Sequence, residues 1–181
     1  MILFRQATRG VPFFWEGQRQ PAARWHRSGE GPVQYLADTP DGAWAEFLRH
    51  EGITDAADLA GISRTMWAVS VDDVDAAIPL LRMETIHGNT DSYEDCQAEA
   101  ANIRARGHSA LSTTSAALSP GAARGWKTDE GLKPGPDTDG RVYVLFGTRP
   151  DSVAWKVVEA GGPPDEVLSA VRQLNAGPTG G

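Results

Sequence analysis

Six short runs of β-branched and aromatic residues are the feature of this sequence that most restricts its fold. Stretches with helical periodicity and stretches rich in glycine and proline separate these runs, so strands and helices share the chain. We therefore predict an α+β domain with a mixed β core of about six strands and helices on the outside. The predicted strands occupy residues 2–5, 33–37, 65–71, 110–114, 141–146 and 153–158.

The first helix is predicted between the second and third strands. Thr39 or Asp41 is suited to cap its N-terminus, Pro40 fits its first turn, and Gly52 is suited to end it. Glu46 lies beside the apolar stripe of this helix, where its carboxylate can face the edge of a cleft.

Three further helices are predicted. The clearest covers residues 92–106, where apolar residues recur at helical spacing, Ser92 is suited as a cap and Gly107 as an end. Shorter helices are predicted over residues 72–78 and 164–174.

Two long segments rich in glycine and proline are predicted to be loops. Residues 7–32 form an ordered loop that packs against the domain, and residues 119–140 form a surface loop longer than most loops in compact domains. Residues 1–176 are predicted to be a single domain, and residues 177–181 a disordered tail.

Composition restricts the class of protein and its partners. Of 181 residues, 40% are hydrophobic and 23% charged, as in ordinary globular proteins. The formal net charge of −7 argues against a nucleic-acid-binding surface, which needs clustered Lys and Arg. No apolar run reaches the length of about 18 residues that spans a membrane, and the N-terminus lacks the apolar stretch of a signal peptide. These features predict a cytoplasmic protein with no membrane contact, and they leave a homo-oligomer open.

The cysteine and the histidines give little support to a metal site. Cys96 is the only cysteine, which excludes an internal disulfide and a thiolate zinc site. The four histidines show none of the spacings that are typical of metal-binding motifs. We therefore predict no metal.

The sequence has no P-loop, no GxGxxG after a strand and no GxSxG elbow. Arg24, Tyr35 and Glu46 instead recur at two equal steps of eleven positions. Arg24 follows a loop rich in proline and glycine, and the three residues are expected on a strand, a strand and a helix respectively. This order predicts that a cation, an aromatic ring and a carboxylate surround one small cleft. Taken singly, each residue also fits an ordinary role: a surface ion pair, a core aromatic, or a helix residue paired with His50. A nucleophile pair of His108 with a nearby serine is a weaker alternative.

Five segments, in this order, resemble the RES domain family, which takes its name from an arginine, a glutamate and a serine. Together they extend over most of the chain, and the resemblance implies a relative of the ADP-ribosyltransferase fold. The segments are LFR at 3–5, RWHRSG at 24–29, VQYLA at 33–37, AWAE at 43–46 and GHSALSTTSA at 107–116.

By position, the resemblance implies that the family's arginine is Arg24, its tyrosine Tyr35, its glutamate Glu46 and its serine Ser115, with Ser112 as a competing choice. Arginine offers a bidentate fork for a pyrophosphate, and tyrosine a ring that stacks on nicotinamide. A fixed carboxylate stabilises positive charge that develops on a ribose, and the serine hydroxyl can donate to or accept from the ribose or the carboxamide.

Further contacts to the substrate are predicted from Arg5, Trp25 and His26, with core packing as an equal alternative for Trp25. The chain departs from the family pattern at two places. Ala22-Ala23 stand where the family usually has glycine, and Thr114 stands where proline often precedes the serine.

RES proteins are typically toxins of bacterial toxin–antitoxin pairs that consume NAD, with an Xre-type antitoxin as partner. The resemblance therefore implies an enzyme that cleaves the nicotinamide–ribose bond of NAD, as a glycohydrolase or a phosphorylase, and depletes cellular NAD. Cleavage builds an oxocarbenium-like state, as in glycoside hydrolysis, and needs no metal because the leaving group is already a cationic pyridinium. Two alternatives stay open: transfer of ADP-ribose onto a protein, and a non-catalytic nucleotide-binding module.

Overall fold

A computed structural model describes residues 1–17, 19–72 and 74–174, so the tail predicted at 177–181 lies outside the described residues. The strands are β1 Ile2–Thr8, β2 Val33–Ala37, β3 Arg64–Ser70, β4 Ala110–Thr114, β5 Trp126–Thr128, β6 Leu132–Pro134, β7 Arg141–Phe146 and β8 Val153–Gly161. The helices are α1 Pro40–Glu51, α2 Met83–His87, α3 Tyr93–Ala105 and α4 Asp165–Ser169, with short 3₁₀ helices at Ala56–Gly61 and Thr90–Ser92.

Six strands form one antiparallel sheet in the order β4-β7-β2-β1-β3-β8. The other two strands, β5 and β6, form a separate hairpin inside the segment predicted as a loop at 119–140. The predicted α+β class, with a core of about six strands and flanking helices, is confirmed.

The sheet is split in its middle, where β1 and β2 pair at Phe4 and Ala37 alone among the described residues. Beyond this pair the two strands diverge, although each keeps full pairing with its outer neighbour. The divergence opens a wedge between two halves of the sheet, and it is this wedge that holds the candidate site.

Helix α1 carries Glu46 to the wedge. Thr39 caps it by accepting a 3.1 Å hydrogen bond from the backbone N–H of Gly42, and Pro40 occupies its first position. Gly52 ends it in the left-handed conformation at φ 66°, where a side chain would be strained. The cap and the end predicted from the sequence are confirmed.

Two cores cover the same face of the sheet, since Val33, Tyr35 and Ala37 alternate on one side of β2. Between α1 and the sheet, Trp44 and Leu48 of the helix pack with Ala37 of β2. Between α3 and the sheet, Cys96 and Ile103 of the helix pack with Trp25 and with strand residues. These strand residues are Val33 and Val144, and Tyr35 packs against them. A third cluster on the opposite face joins Leu3, Leu36 and Val69 to Phe14, which anchors the loop between β1 and β2.

The helix predicted over residues 72–78 is wrong for the residues described there. Ala77 instead forms a parallel bridge with Leu111: its N–H donates to Ala110 O at 3.1 Å and its carbonyl accepts from Ser112 N at 2.9 Å. Without this bridge the outer edge of β4 would leave backbone groups unpaired, and pairing with them competes with a short capped helix.

The last helix is shorter than predicted, Asp165–Ser169 rather than 164–174. Beyond it, Val171 bridges to Leu118, and the N–H of Arg172 donates to Ala117 O at 2.7 Å. These tertiary backbone bonds replace the helical ones. The longest helix is α3 with 13 residues, and no helix in the described part of the chain has the length and apolar character needed to cross a bilayer.

Candidate active site

A cavity of about 500 Å³ occupies the wedge between β1 and β2, a size typical of small-molecule sites. Its walls come from β1 and β2, from α1 and from the loop that joins the first two strands. Arg24, Tyr35 and Glu46, which the sequence predicts around one cleft, all line it.

Glu46 is held by a serine from another part of the fold. Its Oε1 accepts a hydrogen bond of 2.7 Å from Ser115 Oγ. Ser115 Oγ in turn accepts from the backbone N–H groups of Ala117 at 3.1 Å and Leu118 at 3.0 Å. Because these two donors occupy the lone pairs of Ser115 Oγ, the serine proton points at Glu46. The carboxylate is therefore fixed, and it keeps lone pairs for a ligand.

The two serines of the 107–116 segment have different partners. Ser115 is 1% exposed and lies behind Glu46, away from the cavity surface. Ser112, on β4, accepts hydrogen bonds from Arg141 at 2.9 and 3.2 Å and is not among the cavity-lining residues. The structure therefore joins Ser115, and not Ser112, to Glu46.

Tyr35 clamps the turn that carries Arg24. Its hydroxyl accepts from the backbone N–H of Trp25 at 3.0 Å and lies 2.9 Å from His26 Nδ1. Burial raises the pKa of Tyr35, so the phenol is neutral at physiological pH. Backbone bonds of 3.0 and 3.2 Å between Ala23 and His26 close the turn.

The alanines that replace the family's glycines are compatible with this turn. Among the described residues, Glu130 is the one non-glycine residue with a positive φ, so Ala22 and Ala23 take ordinary backbone conformations. Glycine's additional freedom is not needed there.

Arg24 is buried, and its guanidinium is held by a distant segment of the chain. Its guanidinium donates to Gly88 O at 2.7 Å and to Ser92 Oγ at 3.1 Å, and it lies 4.7 Å from the centre of the Tyr93 ring. Arg24 thus joins the turn after β1 to the segment between α2 and α3, as well as lining the cavity.

Arg49, which sequence reasoning missed, completes this wall. From α1 it donates to Gly88 O at 2.8 Å, the same carbonyl that Arg24 uses, and to Ala116 O. It lies close to one turn beyond Glu46 on the helix, but a basic residue near a helix C-terminus carries no functional signal in sequence.

His87 and Arg172 fix the backbone around Ser115. Arg172 donates to Ser115 O, to Ala116 O at 3.2 Å and to His87 Nδ1 at 3.0 Å. Because Nδ1 accepts, Nε2 carries the proton and donates to Thr114 Oγ1 at 2.8 Å. Burial and the neighbouring guanidinium groups lower the pKa of His87 to about 4, which keeps it neutral in this role.

The three further residues predicted as substrate contacts line the cavity, but their side chains differ in burial and in bonding partners. Arg5 donates to Gln34 Oε1 at 2.7 Å across the wedge, and burial lowers its pKa to about 10. Trp25 and His26 are 2% and 1% exposed, so their side chains belong mainly to the core. Burial also lowers the pKa of His26.

No group of three or more His, Cys, Asp or Glu side chains suited to a metal ion is found within the described ranges. The cavity lining instead includes the carboxylates of Glu46 and Glu51, several arginines and the neutral Tyr35. This donor set suits a phosphate-bearing ligand with a centre of developing positive charge.

The split antiparallel sheet and its wedge cavity define an α+β protein with a cavity between two half-sheets. The model of the RES domain family matches residues 3–163, so the chain belongs to the RES domain family. The resemblance found in the sequence is confirmed.

The solved structures that this chain resembles include a chain of the crystal structure of the M. tuberculosis MbcT–MbcA toxin–antitoxin complex. The TM-score is 0.54 and the identity 17%, over 94% of this chain and 88% of that one, so the two share a fold. Among curated proteins, none matches this chain.

Proposed function

We propose that this protein is a toxin enzyme that consumes NAD by cleaving its nicotinamide–ribose bond. The observation that carries the proposal is Glu46, a carboxylate fixed by Ser115 at the surface of a 500 Å³ cavity in a RES domain. A binding module gains nothing from such a carboxylate, since it repels the phosphates of a nucleotide.

In the proposed reaction, the bond between ribose C1′ and the pyridinium nitrogen breaks, and its electron pair leaves with neutral nicotinamide. Glu46 stabilises the positive charge that develops on the ribose. Water or phosphate then adds at C1′ and gives free or phosphorylated ADP-ribose; with water, a proton is released. Glu46 needs no proton transfer to the leaving group, because nicotinamide leaves uncharged.

The remaining site residues take positioning and binding roles in this proposal. Tyr35 orders the turn of Arg24 and offers its ring to the nicotinamide. Ser115 holds Glu46 in place. Arg24 and Arg5 supply the positive potential that attracts the pyrophosphate. Trp25 and His26 shape the turn from the core side, and no metal takes part.

An antitoxin partner belongs to the same proposal. The fold is shared with a chain of a toxin–antitoxin complex, and the resemblance to the RES family implies an antitoxin of the Xre type. A toxin that depletes NAD acts in the cytoplasm and has to be neutralised there by its partner. We therefore propose an Xre-type antitoxin for this chain.

The proposal is tested by incubating the purified protein with NAD and measuring free nicotinamide, with and without added cell protein. Release that needs no protein acceptor is expected. Release that appears only with the acceptor, together with ADP-ribose on protein, would assign the chain to the transferase alternative. Absence of release in every condition, with phosphate present, would overturn both.

Replacing Ser115 with alanine is expected to lower kcat by about 10 to 100-fold, because a hydrogen bond to a charged group contributes about 1.5–3 kcal/mol. Ser112→Ala is the matched control, since Ser112 bonds Arg141 and not Glu46. Its kcat is expected to equal that of the wild type. A larger loss for Ser112→Ala than for Ser115→Ala would show that the serines have the opposite roles.

A further inference from the structure

The outer strand of the sheet, β8, has an exposed apolar surface. It is nine residues long, and its outer side pairs with no strand in the described part of the chain. Val153, Trp155, Val157 and Val158 are between 44% and 54% exposed. A long edge strand with exposed apolar residues is a template for pairing with another chain.

The apolar side chains of β8 lie on one face because the strand contains a bulge. Trp155 pairs with Ala68, which pairs with Phe4, so these residues share the face covered by α1. The register then shifts, and Val158 pairs with Met66 on that same face, which leaves Val157 as the extra residue. The surface therefore continues the main core to the edge of the sheet.

The charged side chains of β8 lie on the opposite face. Lys156 stands over the ring of its cross-strand neighbour Trp67, at 5.8 Å, and forms a 3.1 Å ion pair with Glu159. The strand thus presents an apolar face, a charged face and unpaired backbone groups between them. Neither charge points towards the apolar face, where it would block association.

We propose that β8 pairs with β8 of a second copy of this chain, so that two six-stranded sheets join into one. Antiparallel pairing centred between Val157 and Val158 matches both faces: the valines meet one another, and Lys156 of each chain lies opposite Glu159 of the other. This self-complementarity is what a twofold interface requires. The proposal is independent of the reaction proposed above.

The mass of the protein in solution tests this proposal, by sedimentation over a concentration series. We expect the wild type to reach the mass of two chains and Trp155→Glu to have half of it, because the substitution buries a carboxylate from each chain in the apolar contact. Trp126→Glu is the matched control: Trp126 is 58% exposed against 54% for Trp155, but lies on β5. This control is expected to stay dimeric.

A second variant, Val157→Lys, guards against a folding defect in Trp155→Glu, and circular dichroism checks both. A wild-type chain that has the mass of one chain throughout the series overturns the proposal, as does a dimer that survives both β8 substitutions. If only a different protein covers this strand edge, the wild-type chain keeps the mass of one chain throughout the series, and the proposal is overturned. Loss of the dimer in either folded β8 variant, with Trp126→Glu unchanged, supports pairing through β8.

Discussion

Replacing Glu46 with glutamine is expected to lower kcat for nicotinamide release by about 10² to 10³-fold, the effect of removing one preorganised electrostatic contact. Glutamine keeps the shape of the side chain, and its oxygen still accepts the 2.7 Å bond from Ser115. The substitution therefore removes the charge and retains the contact. Because that charge acts on the transition state, kcat falls while KM changes little.

Glu94→Gln is the matched control for this experiment. Glu94 is exposed in the first turn of α3 and is absent from the cavity lining. Its kcat is expected to equal that of the wild type. Equal kcat for Glu46→Gln and the wild type would remove Glu46 from the reaction.

Expression of the wild-type chain without a partner is expected to stop bacterial growth, and Arg24→Ala is expected to relieve the arrest. The substitution removes the hydrogen bonds of a buried guanidinium to Gly88 O and Ser92 Oγ, each contributing about 1.5–3 kcal/mol, and a longer one to Thr85 O. It also removes the contact with Tyr93 that joins two walls of the cavity. Misplacement of these walls is expected to lower NAD cleavage by about 10²-fold.

Two further variants test whether the relief of growth arrest depends on the position of the arginine and on more than its charge. Arg27→Ala removes an exposed arginine three residues away and is expected to leave the growth arrest unchanged. Arg24→Lys keeps the charge but lacks the planar fork that reaches Gly88 and Ser92 together, so it is expected to behave like Arg24→Ala. Thermal unfolding of the purified variants shows whether they fold. Equal toxicity of the wild type and Arg24→Ala would count against Arg24.

Local sequence predicted those elements whose ends are determined by nearby residues. The strands Val33–Ala37, Ala110–Thr114 and Arg141–Phe146 have the predicted bounds, since turn residues such as Pro32, Gly140 and Gly147 flank two of them. The segment at 72–78 was predicted wrongly because the free edge of β4, distant in sequence, provides its backbone partners. Pairing between distant segments overrides local propensity.

Of the residues in the candidate site, some could likewise be predicted from the sequence and others could not. Arg24, Tyr35 and Glu46 were identified by residue type and order, and the structure brings them to one cavity; their chemical roles stay predictions. Arg49 and Arg172 were missed because they act on backbone carbonyls, which every residue has, so no pattern of side chains reveals the contact.

Cys96 gives this chain a reporter of its own movements. It is the single cysteine, its side chain is buried beneath α3, and its Sγ lies 3.8 Å from Thr85 O, next to the wall that Arg24 holds. A reagent reaches such a thiol when the surrounding structure opens. The rate of thiol labelling in the unaltered protein therefore measures how often this wall separates from the rest of the cavity, with no second thiol to obscure it.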